Sequence, residues 1–196
     1  MKEIQKTRLL VFDLEMTGLS PDTDSIIEIG AVPLLGLAND GDYFFTPVQP
    51  YTKIHAYGKK IHGLDGDKLA KAPPAEIALP QFFKLMRGRI LIGQNPSLDL
   101  AFLWKAAKTI GGNIDCDWAI DISKLFAEIH PDQKHFSLDS MTKKLHIESR
   151  RDFHNALEDA IIVAKIMGKI FPQLQKSGIY TIEQLVSIGK TRMKRF

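Results

Sequence analysis

Asp13 and Glu15 stand two residues apart in Val11-Phe-Asp-Leu-Glu-Met16, a run of strand-like composition. Alternate residues of a strand leave the same face, so the two carboxylates point together. At roughly 6–7 Å and an effective dielectric near 20 their repulsion is about 2.5 kcal/mol, which water or a cation must offset. A divalent metal answers this with one partner, although a solvated strand end accounts for the same two residues. A third acid, Asp99, falls in the first turn of the helix expected after Gly93-Gln-Asn-Pro-Ser-Leu, where complementing the helix dipole is an alternative explanation. Asp159 opens the longest helical pattern and shares a flank with Ile162 and Ile166, an odd place for an unpaired carboxylate. His154 precedes it by five residues, which rotate about 500°, so the two side chains would point some 140° apart if both were helical. That argues against a shared ion and suits a base approaching an attacking water from another side, since neutral imidazole takes a proton near pH 7. Alone, such a histidine reads as a surface residue; the conjunction of the sites in this order singles them out.

The elements that must position these residues follow from composition and pattern. The chain has 196 residues, 44% hydrophobic and 25% charged, a composition that excludes a disordered or fibrous protein and predicts one globular core. Cys116 is the only cysteine, so neither an intrachain disulfide nor a Cys-rich zinc site is expected, and a reducing, cytoplasmic location fits. The N-terminal apolar run is broken by Asp13 and Glu15, and no membrane segment is expected. A net charge of +3 permits a polyanionic partner without requiring one.

Residues 8–15, 25–32 and 42–48 read as three strands whose short connections make an antiparallel meander. Residues 50–72 carry no clear period and include Ile61-His62-Gly63-Leu64. Pro73-Pro74 then opens a helix with Ile77, Phe82, Leu85 and Met86 facing the core, ended by Gly88. Residues 89–93 form a buried strand. Asn95 caps, and Pro96 begins, a helix carrying Leu98, Phe102, Leu103 and Ala106 as far as Gly111-Gly112. A strand over 119–122 leads into a helix over 124–129. Ser137 caps a helix through Leu145, and residues 156–171 form the longest helix, ended by Pro172. Thr181 and Gln184 can form the capping box of a last helix that turns Ile182, Leu185 and Val186 inward. Strands first and then alternating strands and helices predict an α/β or α+β domain on a mixed sheet over 1–175, with 176–196 as a helical tail packed on it. Lys190, Arg192, Lys194 and Arg195 are read as a solvated helix end, with phosphate contact as the alternative.

Together these residues resemble the DnaQ-like exonuclease superfamily, the DEDDh 3′→5′ exonucleases that include the proofreading ε subunit of bacterial DNA polymerase III. The resemblance runs from about Leu9 to Phe171. It rests on Val11-Phe-Asp-Leu-Glu-Met-Thr-Gly-Leu19 with Ile26-Ile-Glu-Ile-Gly-Ala-Val32, on Gly93 to Leu103, and on His154 to Asp159. Ile61-His62-Gly63-Leu64 and Ser137-Leu138-Asp139 match further family features. The resemblance implies a ribonuclease H-like fold, a mixed sheet of three antiparallel strands followed by parallel ones and flanked by helices. It implies that Asp13, Glu15, Asp99 and Asp159 hold two divalent ions, Mg²⁺ or Mn²⁺, and that His154 is the general base. Nucleoside 5′-monophosphates would leave a 3′ end, of single-stranded DNA more than RNA, and a polymerase is a possible partner. Met16 and Thr17 would meet the terminal nucleotide while Leu19 and His62 shape its pocket; turn packing and a surface loop are their respective alternatives. Gln94 and Leu98 depart from the family's His-Asn-x-x-Phe-Asp, and Leu98 cannot stack on a base as an aromatic ring can. Phe102 could touch the nucleotide, but its helical spacing from Leu98 favours core packing.

Other classes fit less well. An RNA or oligoribonucleotide exonuclease of the same family keeps the same five residues, and a nuclease-like module that only binds would be expected to lack one of them. A dinucleotide fold wants Gly-x-Gly-x-x-Gly where Asp13-Leu-Glu-Met-Thr-Gly18 stands. Gly189-Lys190-Thr191 lacks the first glycine of a phosphate-binding loop, since Gln184 occupies its place.

Overall fold

A computed structural model of the protein describes residues 2–52, 69–114, 116–148 and 155–194. After a 3₁₀ turn at Ile4–Lys6 come β1 (Arg8–Met16), β2 (Ile26–Leu35), β3 (Ala38–Asn39) and β4 (Phe44–Pro47). The described chain continues with α1 (Ala75–Met86), β5 (Ile90–Gly93), α2 (Ser97–Thr109), β6 (Trp118–Asp121), α3 (Ile122–Ile129) and α4 (Leu138–Lys144). It closes with α5 (Ala156–Lys176), α6 (Ile182–Gly189) and β7 (Lys190–Arg192). These strands form one mixed sheet in the order β3-β2-β1-β5-β6-β7, with β4 also paired to β2. β1 and β2 are antiparallel, whereas β1, β5 and β6 run parallel. The meander followed by parallel strands is therefore present, as the fold class required.

Alternation along β1 divides the interior in two. Leu9 and Val11 join Val32, Leu34 and the buried faces of α3, α4, α5 and α6. Leu10, Phe12 and Leu14 join α1 and α2 on the other side. Asp13 and Glu15 continue the first set, so they emerge beneath α5 at the end of the strand. Asp13 lies opposite Gly30 and Glu15 opposite Glu28, and the register shifts between Glu15 and Met16. Such a bulge re-aims the strand beyond it. Gly30 is what lets α5 lie so close, because a Cβ there would collide with the backbone of Ala156 and Leu157.

Several details depart from expectation. The two-residue β3 was not foreseen. In α1 the buried stripe is Ala75, Ala78, Leu79, Phe82 and Met86; Ile77, one position off it, is 57% exposed. Asn95 does not cap α2 with its side chain. It takes φ +49°, Pro96 occupies the cap position, and the Asn95 N–H donates to the Asp121 carboxylate at 3.1 Å. Pro172 lies inside α5 rather than ending it. A proline removes one intrahelical bond, but the next turn carries the fully buried Leu174 into the core, and tertiary packing prevails over local propensity.

The C-terminus holds the clearest difference. Lys190–Arg192 is an antiparallel edge strand on β6, not a fraying helix end. The Lys190 ammonium lies over the Trp118 ring at 4.9 Å, and Arg192 pairs with Asp117 at 3.1 Å. A short, charged strand is a suitable terminus for a sheet. Arg195 lies outside the described residues. The capping box of α6 forms as expected, with Ile182 and Leu185 buried. Among the described residues, no helix is long and apolar enough to cross a membrane.

Candidate active site

β1 delivers Asp13 and Glu15, and α5 delivers Asp159, the fourth residue of that helix. One carboxylate oxygen from each lies within 4.8 Å of one from each of the others. Glu15 is 9% exposed and Asp159 3%. Three acids this close could hold a cation between them, and an all-oxygen donor set suits a hard ion such as Mg²⁺ or Mn²⁺. They line a cleft of about 220 Å³ with Leu14, Gln94, Ser137, Leu138 and Asp139. Gln94, at the position where the family pattern has histidine, donates from Nε2 to the Phe136 carbonyl at 3.3 Å. Ser137 caps α4 by accepting from the Ser140 N–H, and Asp139 lies in that helix's first turn.

Asp99 is not part of the three-acid group. α2 packs on the face of the sheet opposite α5, and Asp99 lies in its first turn. Its turn is held by Asp121, whose Oδ1 accepts from the N–H groups of both Asn95 and Ser123. Burial pushes the Asp99 carboxyl up to about 7, against the opposing effect of its backbone hydrogen bond. The raised value means that the folded protein binds a proton that the unfolded chain releases. In EDTA, stability is therefore expected to rise as pH falls from 8 towards 5, because destabilisation by the ionised form is relieved below the folded pKa. Thermal melts of Asp99→Asn beside wild type check this. The variant should lose most of that pH dependence, and an equal slope in both proteins would contradict it.

The turn after β1 is rigidly built. The Thr17 N–H donates to the Ser25 carbonyl at 2.9 Å, and its hydroxyl accepts from the Ser25 N–H and bonds to Asp24. Asp24 also accepts from the Ser20 N–H. Thr17 is thus buried and its own N–H is engaged inside the hairpin, whereas Leu19 presents its side chain at 70% exposure. Met16 is half-buried against the second core. Leu98 is likewise half-buried there, and Phe102, only 2% exposed, packs within it, which is the packing alternative for that residue. His62 and His154 lie outside the described residues. One residue went unnoticed in the sequence. Glu28 is 3% exposed beside the site, and burial is the main reason its carboxyl is held above the usual range. A charge inside the apolar run Ile26-Ile-Glu-Ile-Gly-Ala-Val32 was the available signal.

A mixed sheet with three converging carboxylates at the end of its central strand defines a nuclease-type domain. The exonuclease family model, RNase_T, matches residues 10–167, and the chain belongs to this family, within the DnaQ-like superfamily of 3′→5′ exonucleases. It is 32% identical over 91% of its length to a DNA polymerase III PolC-type protein of Caldanaerobacter subterraneus, of which it spans 13%. It is 30% identical over 83% of its length to a DNA polymerase III subunit epsilon of Pasteurella multocida, of which it spans 67%. Among solved structures, Escherichia coli exonuclease I in complex with a dT13 oligonucleotide superimposes with a TM-score of 0.76 at 16% identity, over 87% of this chain and 43% of that one. A 3′-exonuclease in a structure of histone mRNA stem-loop recognition gives 0.73 at 19% identity, over 88% of this chain and 65% of that one. At these identities the structural likeness is one of fold.

Proposed function

We propose that the protein hydrolyses the terminal phosphodiester at nucleic-acid 3′ ends, releasing nucleoside 5′-monophosphates, with single-stranded DNA the preferred substrate. The observation that carries this reading is the convergence of Asp13, Glu15 and Asp159 within 4.8 Å in a chain of the exonuclease family. Preference for DNA is supported by relatives that are named as parts of DNA polymerase III; a polymerase partner and a cytoplasmic location accompany that reading.

Asp13, Glu15 and Asp159, with Asp99, would hold two Mg²⁺ or Mn²⁺ ions. When bound, such ions make water a stronger nucleophile and stabilise charge on phosphate oxygens. His154 accepts a proton of the attacking water as the water oxygen bonds to phosphorus and the bond from phosphorus to the 3′ oxygen of the preceding nucleotide breaks; that oxygen takes a proton from solvent, leaving a shortened strand with a 3′ hydroxyl. Leu19 offers an apolar side chain to the terminal base, on a turn held by the Thr17, Asp24 and Ser25 hydrogen bonds. Met16, Leu98 and Phe102 support that turn and the start of α2 through the second core, and His62 completes the pocket.

The test uses 5′-labelled single-stranded DNA and RNA of equal length with Mg²⁺, Mn²⁺ or EDTA. The expected result is a metal-dependent ladder that shortens from the 3′ end, faster on DNA. A faster RNA ladder would reassign the substrate. No cleavage of either would overturn the enzyme reading in favour of a binding module.

A further inference from the structure

We infer that Glu28 is a positioning residue that sets the start of α5, and so the place of Asp159, against β1. Its Oε2 accepts from the Asn155 Nδ2 at 3.2 Å and from the Ala156 N–H at 3.4 Å. Asn155 is the N-cap of α5, and its Oδ1 in turn accepts from the N–H groups of Leu157 and Glu158, both at 3.1 Å. The Asn155 carbonyl accepts from the Asp159 N–H at 2.9 Å. One carboxylate oxygen on β2 therefore holds the cap, the cap holds the first turn, and the first turn carries the acid. The first amides of a helix have no partner within it, and Glu28 supplies one from the sheet.

The placement on β2 explains why a charged residue occupies this position. Glu28 is the register partner of Glu15, and Gly30, two residues on, partners Asp13. Directly opposed residues share a face, so Glu28 lies beside the two acids of β1 while reaching the helix that supplies the third. Gly30 admits the backbone of Ala156 and Leu157, and Glu28 fixes it laterally. Lacking the carboxylate, α5 could slide or fray at its first turn with its long apolar face still buried, which would displace Asp159 while sparing the core.

This inference rests on the reading of Asp13, Glu15 and Asp159 as metal ligands, and the experiment separates the two. Glu28→Ala removes the acceptor, whereas Glu28→Gln keeps an oxygen for both donors. Amide hydrogen exchange in EDTA should be at least about tenfold faster at residues 156–159 in Glu28→Ala, with the later turns of α5 unchanged. Loss of a partner that orients a ligand typically costs about 10–100-fold in metal affinity or activity, and Mn²⁺ affinity and kcat should fall by that amount in Glu28→Ala with KM little altered. Glu28→Gln should restore most of the exchange protection, affinity and rate. Unaltered exchange at 156–159, a lowered Tm with normal Mn²⁺ affinity, or a Glu28→Gln protein as impaired as Glu28→Ala would each overturn the inference. Failure of the wild-type protein to bind Mn²⁺ would sink the metal reading, while the exchange pattern still decides the role of Glu28.

Discussion

Replacing Asp159 with alanine is expected to abolish turnover while leaving the protein folded. The carboxylate is buried beside two others, and a metal site supplies several kcal/mol of transition-state stabilisation. Each 1.36 kcal/mol is a factor of ten, so losing the site corresponds to about 10³-fold or more in rate. Stability should not follow activity, because removing one of three like charges relieves repulsion in the metal-free protein even as it removes a small buried group. Asp159→Asn keeps the volume and removes only the charge, which separates packing from coordination. Single-turnover rates on labelled DNA, Mn²⁺ calorimetry and thermal melts in EDTA measure the three quantities, and Asp13→Ala should behave alike because its carboxylate belongs to the same cluster. Full activity with tightly bound Mn²⁺ in either variant would defeat the assignment.

How much of this the sequence disclosed depends on how local each signal is. The Asp-x-Glu spacing on a strand needs only the two-residue period, and Asp13 and Glu15 do leave one face. Asp159 was legible because a carboxylate on the Ile162 and Ile166 flank of a helix needs a reason to be there, and it proves buried among the acids. Asp99 shows where spacing stops informing. The sequence places it in the first turn of α2 but does not reveal that α2 packs on the face of the sheet opposite α5. Pro172 misleads for a similar reason, since its local cost is visible and the burial of Leu174 that offsets it is not. Lys190 to Arg192 could not be read as a strand from three polar residues; their pairing is determined by β6, some 70 residues earlier. Glu28 was not legible because its partner, the N-cap of α5, is 127 residues away in sequence.

His154→Ala is expected to lower the rate by about 10²- to 10⁴-fold at neutral pH, the range for a lost general base. The argument turns on separability. The Asn155 cap and its Glu28 anchor hold α5 by hydrogen bonds that do not involve the histidine side chain, so Asp159 keeps its place and Mn²⁺ affinity should be unchanged. What the variant should also lose is the limb of the pH–rate profile over which the imidazole gives up its proton. Wild-type activity should climb through that region and level above it, whereas the variant's residual rate should rise with hydroxide alone. A general base and a residue that only helps bind DNA make different predictions here. The binding role raises KM and leaves kcat and the profile intact, and the catalytic role lowers kcat and flattens the limb. Because Asp159→Ala removes metal affinity and rate together while His154→Ala removes rate alone, measuring both quantities on both variants separates the residues that hold the ions from the residue that moves the proton.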